Sequence, residues 1–362
     1  MTDSKTPTWI TAFANGRVNL IGEHTDYNDG WVLPTAIPQR TDVRLRLRDD
    51  RRVVVRTTMK GAHAADYVLG EEKKSGQWYD YIMGATKLVA MEPGVCTLRG
   101  FELEIESTVP TGSGLSSSAA IEIAVLKAMR EAFGFDLDDV RLAQIGRAIE
   151  NDFVGANVGI MDQMACALAK FGEALFLDTQ TMKYESVILP LEAMDLIVIN
   201  SGVEHNHAGG DYNERVRECR SACKQLGVSS LRQATAAMIE SSQVLGDVER
   251  KRARHVVTEN LRVHEAVAAL QSRDLGKLGR LFAESHASMR DDYQVSVPEI
   301  DSLVEISAAR EDIYGARLTG GGFGGSIVAL AHKGKGLIAA REIVAAYKAK
   351  TGQTATILVP QS

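Results

Sequence analysis

A segment rich in glycine and serine, Pro110 to Ala120 (PTGSGLSSSAA), constrains the fold more than any other part of the chain. Before it, Phe101 to Glu106 alternates apolar and acidic residues with the period of two that is typical of a half-buried β-strand. After it, apolar residues recur at the helical period until Gly134, which offers a C-terminal stop. The chain therefore passes from strand to helix through a loop, and we expect mixed α and β structure.

A second alternating segment, Asp42 to Arg48, carries arginines where Phe101 to Glu106 carries glutamates. If the two strands are neighbours in one sheet, the arginine and glutamate rows face each other. The alternative is two strands whose charged faces are solvated separately. In either case, the arginines indicate the solvent-exposed face of a sheet.

Further periodic segments occur along the rest of the chain. They predict a helix capped by Asp136 with Leu142, Ile145 and Ile149 on one face, a buried strand at Asp195 to Asn200, helices at Arg252 to Leu270 and Glu299 to Ala309, and strands at Ser326 to Ala331 and Thr354 to Val359 that bracket a helix at Ile338 to Tyr347. Both halves are therefore α plus β. We place the domain boundary a little before the buried strand, which gives residues 1–190 and 191–362.

Length and composition limit the class of protein. A chain of 362 residues predicts about two domains, and 45% hydrophobic with 24% charged residues is typical of a globular core. Lys and Arg (41) are outnumbered by Asp and Glu (47), so the basic excess that binds nucleic acid is lacking. The sequence has neither a signal-like N-terminus nor an apolar run long enough for a membrane span, and we expect a cytoplasmic protein with no membrane partner.

The cysteines and histidines predict no metal site. Four cysteines in a chain of this length do not form a disulfide framework, and Cys96 and Cys166 stand alone. Cys219 and Cys223 share one face of a predicted helix, but no further ligand completes a metal spacing. The pair His205 and His207 also lacks further ligands nearby.

The loop in Pro110 to Ala120 suits phosphate binding. Gly112 and Gly114 allow tight turns, the run of three serines from Ser116 to Ser118 adds hydroxyl donors, and the helix that follows presents unpaired N–H groups and a positive dipole end. The Walker pattern GxxxxGK[ST] is absent from the sequence. The competing interpretation is a serine-capped helix after a glycine turn.

A second glycine-rich segment is Leu318 to Ser326 (LTGGGFGGS). It formally matches GxGxxG, but the residues that follow read as a strand, so the dinucleotide interpretation fails. We expect a loop whose backbone closely approaches a ligand or its phosphate loop. A plain hairpin corner is the alternative.

Polar residues also cluster in Gly16 to Pro34 (GRVNLIGEHTDYNDGWVLP). Their density suits a polyhydroxylated small ligand, and the alternative is a solvated loop. Farther along, Asp162 stands in an apolar segment, where a carboxylate is costly to bury unless it is paired. Asp162 is a candidate functional carboxylate with Arg17 as its partner, or else half of an ordinary buried ion pair.

These three segments, in this order, resemble the signature motifs of the galactokinases, in the small-molecule kinase superfamily of galactokinase, homoserine, mevalonate and phosphomevalonate kinases. The similarity extends through WYDYIMGA, ENDFVGANVGIMDQ, GGDYNERV and SHASMRDDYQVSVPEIDSLVE, which is nearly the whole chain. The resemblance implies two α+β lobes, an N-terminal lobe like ribosomal protein S5 domain 2 and a C-terminal ferredoxin-like lobe, with the active site in the cleft between them.

The resemblance also implies the activity, which is transfer of the γ-phosphoryl group of MgATP to the anomeric hydroxyl of α-D-galactose. Arg17 and Asp162 correspond to the catalytic pair, in which the aspartate accepts or orients the proton of the sugar O1 and the arginine neutralises charge. The implied sugar-binding residues are Glu23, His24, Asp26, Gly159 and Tyr212.

The nucleotide site follows from the same motifs. The phosphates are expected on Gly112, Ser113, Gly114, Leu115, Ser116, Ser117 and Ser118. Mg²⁺ is expected between Glu150 and the hydroxyl of Ser117 or Ser118, between which the sequence does not choose. Trp78 is expected to help form the adenine pocket, although an aromatic residue there also fits a core.

The chain departs from the family pattern near Tyr212. In HNHAGGDYN, His207 and Gly210 replace an apolar residue and a serine, and Val216 replaces a frequent arginine. A kinase of a related sugar (N-acetylgalactosamine, L-arabinose or galacturonate) is therefore one alternative, and a non-catalytic galactose and ATP sensor is another. Ser326 replaces a frequent cysteine, a change expected to matter little. No obligate protein partner is evident.

Overall fold

The computed structural model describes residues 8–59, 61–95, 97–204 and 208–360. Contacts divide the chain into two compact units. The first contains the described residues up to Gly16, Ile37–Pro110 and Ser116–Leu168, and the second contains Arg17–Ala36, Thr111–Leu115 and the described residues from Ala169 onward. The sequence instead predicts one domain boundary near residue 190. These contact-based units do not test it, and it stays a prediction.

Twelve strands are described. They are β1 (Ile10–Asn19), β2 (Trp31–Val32), β3 (Pro34–Leu47), β4 (Arg52–Thr57), β5 (Ala65–Val68), β6 (Phe101–Ser107), β7 (Glu173–Asp178), β8 (Tyr184–Ile188), β9 (Met194–Glu204), β10 (Ile313–Thr319), β11 (Gly324–His332) and β12 (Thr356–Val359).

Ten α-helices are described with them. They are α1 (Asp80–Val89), α2 (Ser117–Phe133), α3 (Asp139–Ala148), α4 (Met161–Leu168), α5 (Ala208–Leu226), α6 (Ala236–Ser241), α7 (Asp247–Ser272), α8 (Leu275–Ser288), α9 (Pro298–Ala308) and α10 (Gly336–Thr351). Two π-helical segments, Ile149–Val154 and Met289–Tyr293, continue α3 and α8.

The facing rows of arginine and glutamate are confirmed in the first unit. Strand β3 pairs with β6 in antiparallel register, which places Arg44 opposite Glu104 and Arg46 opposite Glu102. The Arg46–Glu102 ion pair measures 2.7 Å and the Arg44–Glu104 pair 3.1 Å. The interpretation as two separately solvated faces is therefore wrong. On its other edge β6 pairs with β4 in parallel, and β4 pairs with β5.

Helices α1 to α4 of the first unit pack on one another. Helix α2 begins at Ser117, within the segment that the sequence predicts as a loop. It is followed by Gly134, whose φ of 68° makes it the left-handed C-cap that the sequence predicts. Helix α3 is capped by Asp138, which accepts a hydrogen bond from Arg141 N at 2.7 Å. The predicted cap Asp136 is wrong, because the helix begins three residues after it and only Asp138 reaches the first-turn N–H.

The second unit contains a ferredoxin-like arrangement. Its four-stranded antiparallel sheet has the order β10-β11-β9-β12, and the chain order β9, helices, β10, β11, α10, β12 is the βαββαβ pattern. The predicted strands and helices of this region are confirmed, most of them with longer bounds. Helix α9 is shifted by one residue toward the N-terminus, and β12 begins two residues later than predicted. Helices α9 and α10 pack on the sheet over a buried apolar core. Strands β2, β7 and β8 and the start of β3 also belong to this unit.

The described helices have one further property. None of them is both long enough and apolar enough to cross a membrane.

Candidate active site

In the predicted phosphate loop, every second residue from position 112 to 116 has a left-handed backbone conformation. Gly112, Gly114 and Ser116 all have positive φ, at 67°, 73° and 64°. Alternation of left-handed residues with their neighbours turns successive N–H groups toward a common point, which is a geometry that binds anions. Ser116 stands at the N-cap of α2, yet its side chain makes no capping hydrogen bond. The interpretation as an ordinary serine-capped helix therefore does not describe this loop.

The second glycine-rich segment contacts this loop directly. It forms the turn between the antiparallel strands β10 and β11. A Cβ on Gly320, whose φ is 86°, would lie 2.9 Å from the Gly114 carbonyl oxygen, and one on Gly325 would lie 3.3 Å from the Ser113 carbonyl oxygen. Glycine is required at Gly320 for its close approach to the predicted phosphate loop, as the sequence predicts for this segment.

Arg17 joins the phosphate loop to the polar motif near the N-terminus. Its Nη1 donates to the Gly114 carbonyl at 2.5 Å, and its backbone N–H donates to the Leu115 carbonyl at 3.2 Å. The Arg17 residue is only 3% exposed. Its guanidinium is therefore held against the loop that is predicted to bind phosphate.

Glu23 lies inside the second unit and is held by three donors. Its Oε2 accepts from Arg317 Nη2 at 2.6 Å and from Asn19 Nδ2 at 2.8 Å, and its Oε1 accepts from Gly320 N at 2.9 Å. Glu23 is 1% exposed, and the adjacent His24 is also buried. The solvated-loop alternative is therefore wrong for this part of the motif.

Arg317 and Glu259 form the support beneath this motif. Arg317 is fully buried and also donates to the Leu20 carbonyl at 2.9 Å. Glu259 accepts from Gly22 N at 3.0 Å and from Arg262 Nε at 2.7 Å, and it lies 3.6 Å from Arg317. Burial opposes ionisation of Glu259, but the charges of Arg262 and Arg317 outweigh it and lower its pKa to about 2.

His24 is the start of a chain of polar contacts. Its Nδ1 lies 2.9 Å from the Tyr27 hydroxyl, which lies 2.6 Å from the Tyr293 hydroxyl, and that hydroxyl is 3.0 Å from Cys219 Sγ. Burial lowers the pKa of His24 to about 3, so the ring is neutral at physiological pH. Tyr212 packs beside it with a ring-centroid distance of 5.5 Å.

Asp26 is placed differently from Glu23. It begins a short 3₁₀ turn, Asp26–Asn28, and is only partly buried. Thr179 Oγ1 donates to its backbone carbonyl at 3.2 Å, which fixes the turn. The structure therefore brings Arg17, Glu23, His24, Asp26, Tyr212 and the loop residues Gly112 to Leu115 into one unit.

The first unit contains a cluster of carboxylates around the start of α2. Ser118 Oγ donates to Glu150 Oε1 at 2.8 Å. Gln163 Nε2 lies 3.4 Å from that same oxygen and 3.2 Å from Glu122 Oε2. Burial raises the pKa of Glu150 to about 7, which the Ser118 hydrogen bond opposes and the negative charge of Asp162 reinforces.

Glu122 is a member of this cluster that the sequence reasoning missed. It is fully buried, and burial together with the charges of Glu150 and Asp162 raises its pKa well above the usual range. A signal was present, because Glu122 follows Ser118 by four residues and is an acid on an otherwise apolar helical segment. Asp162 itself is the second residue of α4.

The remaining predicted site residues of the first unit lie apart from these contacts. Gly159 is buried in the segment before α4. Trp78 is partly buried, and its indole N–H donates to the His63 carbonyl at 2.9 Å. Arg17 and Asp162 belong to different units, so their pairing stays a prediction.

Metal ligation by histidine and cysteine receives no support from the described ranges. No group of three or more His, Cys, Asp or Glu residues able to hold a metal occurs in them. Cys219 and Cys223 lie on α5 as free thiols. Cys96, His205 and His207 lie outside the described residues.

Several solved structures with a similar fold are kinases. The crystal structure of Lactococcus lactis galactokinase complexed with galactose is 34% identical, with a TM-score of 0.93, and the match covers 98% of this chain and 94% of that chain. Mevalonate kinase from Methanococcus jannaschii is 18% identical, with a TM-score of 0.69 and 98% of both chains covered. Mevalonate kinase from L. major, in complex with R-mevalonate, is 20% identical, with a TM-score of 0.67 and coverage of 98% and 97%. The last two show likeness of fold alone.

Three sequence-family models match parts of this chain, and they agree with the structural similarity. Residues 2–46 match the galactokinase galactose-binding signature, residues 80–170 the GHMP kinases N terminal domain, and residues 266–349 the GHMP kinases C terminal domain. The α+β fold with N- and C-terminal domains predicted from the sequence is confirmed. The chain belongs to the galactokinase family of the GHMP kinases, a family of ATP-dependent sugar kinases.

Proposed function

We propose that this protein transfers the γ-phosphoryl group of ATP to the anomeric hydroxyl of α-D-galactose, giving galactose 1-phosphate and ADP. The observation that carries the proposal is the contact between Arg17 and the Gly114 carbonyl at 2.5 Å. It joins the galactose-binding signature to the loop with phosphate-binding geometry. The Arg17 guanidinium would then lie close both to a sugar bound by the signature and to a phosphate bound by the loop.

Arg17 and Asp162 are the proposed catalytic residues. Phosphoryl transfer passes through a loose transition state in which positioning and charge stabilisation supply most of the acceleration. A buried guanidinium fixed to the phosphate loop suits the negative charge on the transferred group. Asp162 would accept the hydrogen bond of the attacking sugar hydroxyl and orient it.

The proposed sugar contacts differ in character. Asp26 is partly exposed, and a carboxylate accepts two neighbouring hydroxyls at once, so Asp26 is our choice for reading the sugar configuration. Glu23 already accepts three protein hydrogen bonds, so its main contribution would be to fix the motif around the sugar. His24, Gly159 and Tyr212 complete the proposed sugar-binding residues.

Ser118 and Glu150 fit a magnesium ion shared with the nucleotide. They offer a hydroxyl and a carboxylate oxygen 2.8 Å apart, and Mg²⁺ prefers oxygen ligands while retaining phosphate oxygens and water. The contact favours Ser118 over Ser117. A bound Mg²⁺ would neutralise phosphate charge during transfer. Trp78 remains the proposed adenine contact.

The direct test measures ADP release from MgATP by the wild type and Asp162→Asn, with D-galactose, D-glucose and N-acetylgalactosamine offered separately. We expect turnover with galactose and a loss of at least about a hundredfold in kcat for Asp162→Asn, with galactose binding retained. Asp152→Asn is the matched control, because Asp152 is an exposed acid of the same unit. Turnover with another sugar alone would reassign the substrate. Binding of galactose and ATP without turnover would favour the alternative function, a non-catalytic sensor of galactose and ATP.

A further inference from the structure

Ser326 makes a hydrogen bond that nothing in the motif pattern requires. It lies near the start of β11 and is fully buried. Its Oγ is 2.7 Å from the carbonyl oxygen of Ser113 in the phosphate loop. A carbonyl oxygen only accepts, so the Ser326 hydroxyl is the donor.

Asn200 fixes the direction of this hydroxyl. Asn200 Oδ1 accepts from Gly202 N at 2.9 Å, which assigns the other end of the amide, Nδ2, to the side of Ser326. Nδ2 lies 3.3 Å from Ser326 Oγ and 3.3 Å from the Gly325 carbonyl. Because Asn200 is the cross-strand partner of Ser326 in the β9–β11 pairing, this geometry is set by the sheet. The amide donates to Ser326 Oγ, and the single hydroxyl hydrogen remains for the Ser113 carbonyl.

The bond controls which way the loop presents its amides. In a planar trans peptide the C=O and the following N–H point in opposite directions, so holding the Ser113 carbonyl fixes the Gly114 N–H. Arg17 holds the next two carbonyls, of Gly114 and Leu115, in the same way. Three successive peptides are thus anchored from the carbonyl side, and Ser326 supplies the one anchor that does not come from the proposed catalytic arginine.

We propose that Ser326 is a positioning residue for the phosphate loop, holding its amides ready for the phosphates of the nucleotide. The inference rests on the proposed function, in which this loop binds ATP. A thiol at this position would be a weaker donor. The expectation that exchange between cysteine and serine matters little overlooks this hydrogen bond.

The test compares Ser326→Ala and Ser326→Cys with the wild type. We expect the KM for MgATP and the Kd for MgADP to rise by roughly three- to tenfold in Ser326→Ala, the effect of losing one hydrogen bond, with Ser326→Cys in between. The KM for galactose should change by less than about twofold, because the sugar motif keeps its own anchors. The matched control is Ser307→Ala, since Ser307 is also fully buried and also donates to a carbonyl at 2.7 Å, that of Leu303 in α9.

Asn200→Asp tests the mechanism without touching Ser326. A carboxylate there accepts the hydroxyl hydrogen and withdraws it from the Ser113 carbonyl, so the variant should raise the MgATP constants as Ser326→Ala does. Thermal melting of each variant separates a loss of folding from a loss of positioning.

Two results would overturn the proposal. One is a Ser326→Ala variant with unchanged nucleotide constants and a stability loss like that of Ser307→Ala, which would mean that Ser326 only packs. The other is an equal change in the constants of both substrates. The proposed function fails separately, if the wild type phosphorylates no sugar. Calorimetric binding of MgADP to the wild type and to Ser326→Ala still decides the role of Ser326 in that case.

Discussion

Two buried carboxylate clusters in this protein are built in opposite ways. In the second unit, Glu23 and Glu259 surround the fully buried Arg317, at 2.6 and 3.6 Å, and Arg262 adds a second cation 2.7 Å from Glu259. In the first unit, Glu122 is fully buried and Glu150 is 6% exposed, and the side-chain donors that the described structure gives them are the neutral Ser118 and Gln163.

The pKa values of Glu259 and Glu150 differ accordingly, although at Glu23 burial outweighs the charge of Arg317 and raises the pKa. That of Glu259 is lowered to about 2 because guanidinium charges outweigh its burial, whereas burial raises that of Glu150 to about 7. A carboxylate whose charge is balanced inside the protein is part of the framework. A carboxylate left unbalanced gains most from a cation that arrives from outside, and on the proposed function that cation arrives with the nucleotide.

The largest effect is expected on removing the internal cation. Arg317→Met leaves Glu23 and Glu259 buried without their main partner, which should lower the free energy of unfolding by about 3–5 kcal/mol. Urea titration measures it, with Arg99→Met as the control, because Arg99 is 56% exposed in an ion pair of the first unit. A loss below about 1 kcal/mol, similar to that of the control, would mean that Arg317 does not hold this cluster together.

Acid should weaken the same cluster. His255 donates from Nε2 to the Glu23 carbonyl at 3.1 Å, and burial lowers its pKa to about 4. Between pH 6.5 and 4 the unfolded chain binds a proton on this ring and the folded chain does not. The contribution of His255 to stability should therefore fall by about 3 kcal/mol as the pH drops through that window.

The variant His255→Asn isolates this contribution. It should remove close to one proton from the pH slope of the unfolding free energy, while His63→Asn, at an exposed position, leaves the slope unchanged. A slope that is the same in His255→Asn and in the wild type would show that the ring is protonated in the folded protein as well.

The sequence predicted much of the framework and little of this contrast. Period-two patterns located β3 and β6 and allowed their charged rows to face, because a half-buried strand shows its burial in its own sequence. The end of α2 before Gly134 followed from local backbone chemistry in the same way. The cap of α3 was misplaced because Asp136 and Asp138 are equivalent in composition and only the backbone distinguishes them.

The site was predictable as motifs and not as a network of contacts. Arg317 stands 294 residues from Glu23, and no local pattern reports a contact over that separation. The discontinuous units have the same cause, since the groups 17–36 and 111–115 join residues far along the chain. Ser326 shows what the sequence could not predict. Its proposed role depends on a hydrogen bond to the Ser113 carbonyl, 213 residues away, which the sequence alone does not reveal.

Removing an acid from the first unit should have the opposite effect to removing Arg317. At pH 8 without nucleotide, Glu150→Gln eliminates a buried charge whose pKa is about 7, and should raise the free energy of unfolding by about 2 kcal/mol. The gain should vanish below about pH 4.5, where Glu150 is protonated in both states.

MgATP then separates this variant from the wild type. It should stabilise the wild type more than Glu150→Gln, and Glu131→Gln, at an exposed position of α2, should respond as the wild type does. If Glu150→Gln instead lost stability at pH 8, a cation within the protein would have to balance Glu150, and the two clusters would be alike.

The smallest effect is expected where charges pair in water. Arg44 and Glu104 face each other across β3 and β6 at 3.1 Å with side chains 53% and 36% exposed. Either single charge reversal should cost up to about 1 kcal/mol, since it places like charges opposite each other, and the double exchange Arg44→Glu with Glu104→Arg should restore most of that loss. Urea titration in low and high salt measures it, and salt should shrink all three differences. A coupling of several kcal/mol at this exposed pair would mean that ionic pairing stabilises this protein whether or not it is buried, and burial would no longer explain why Arg317 matters.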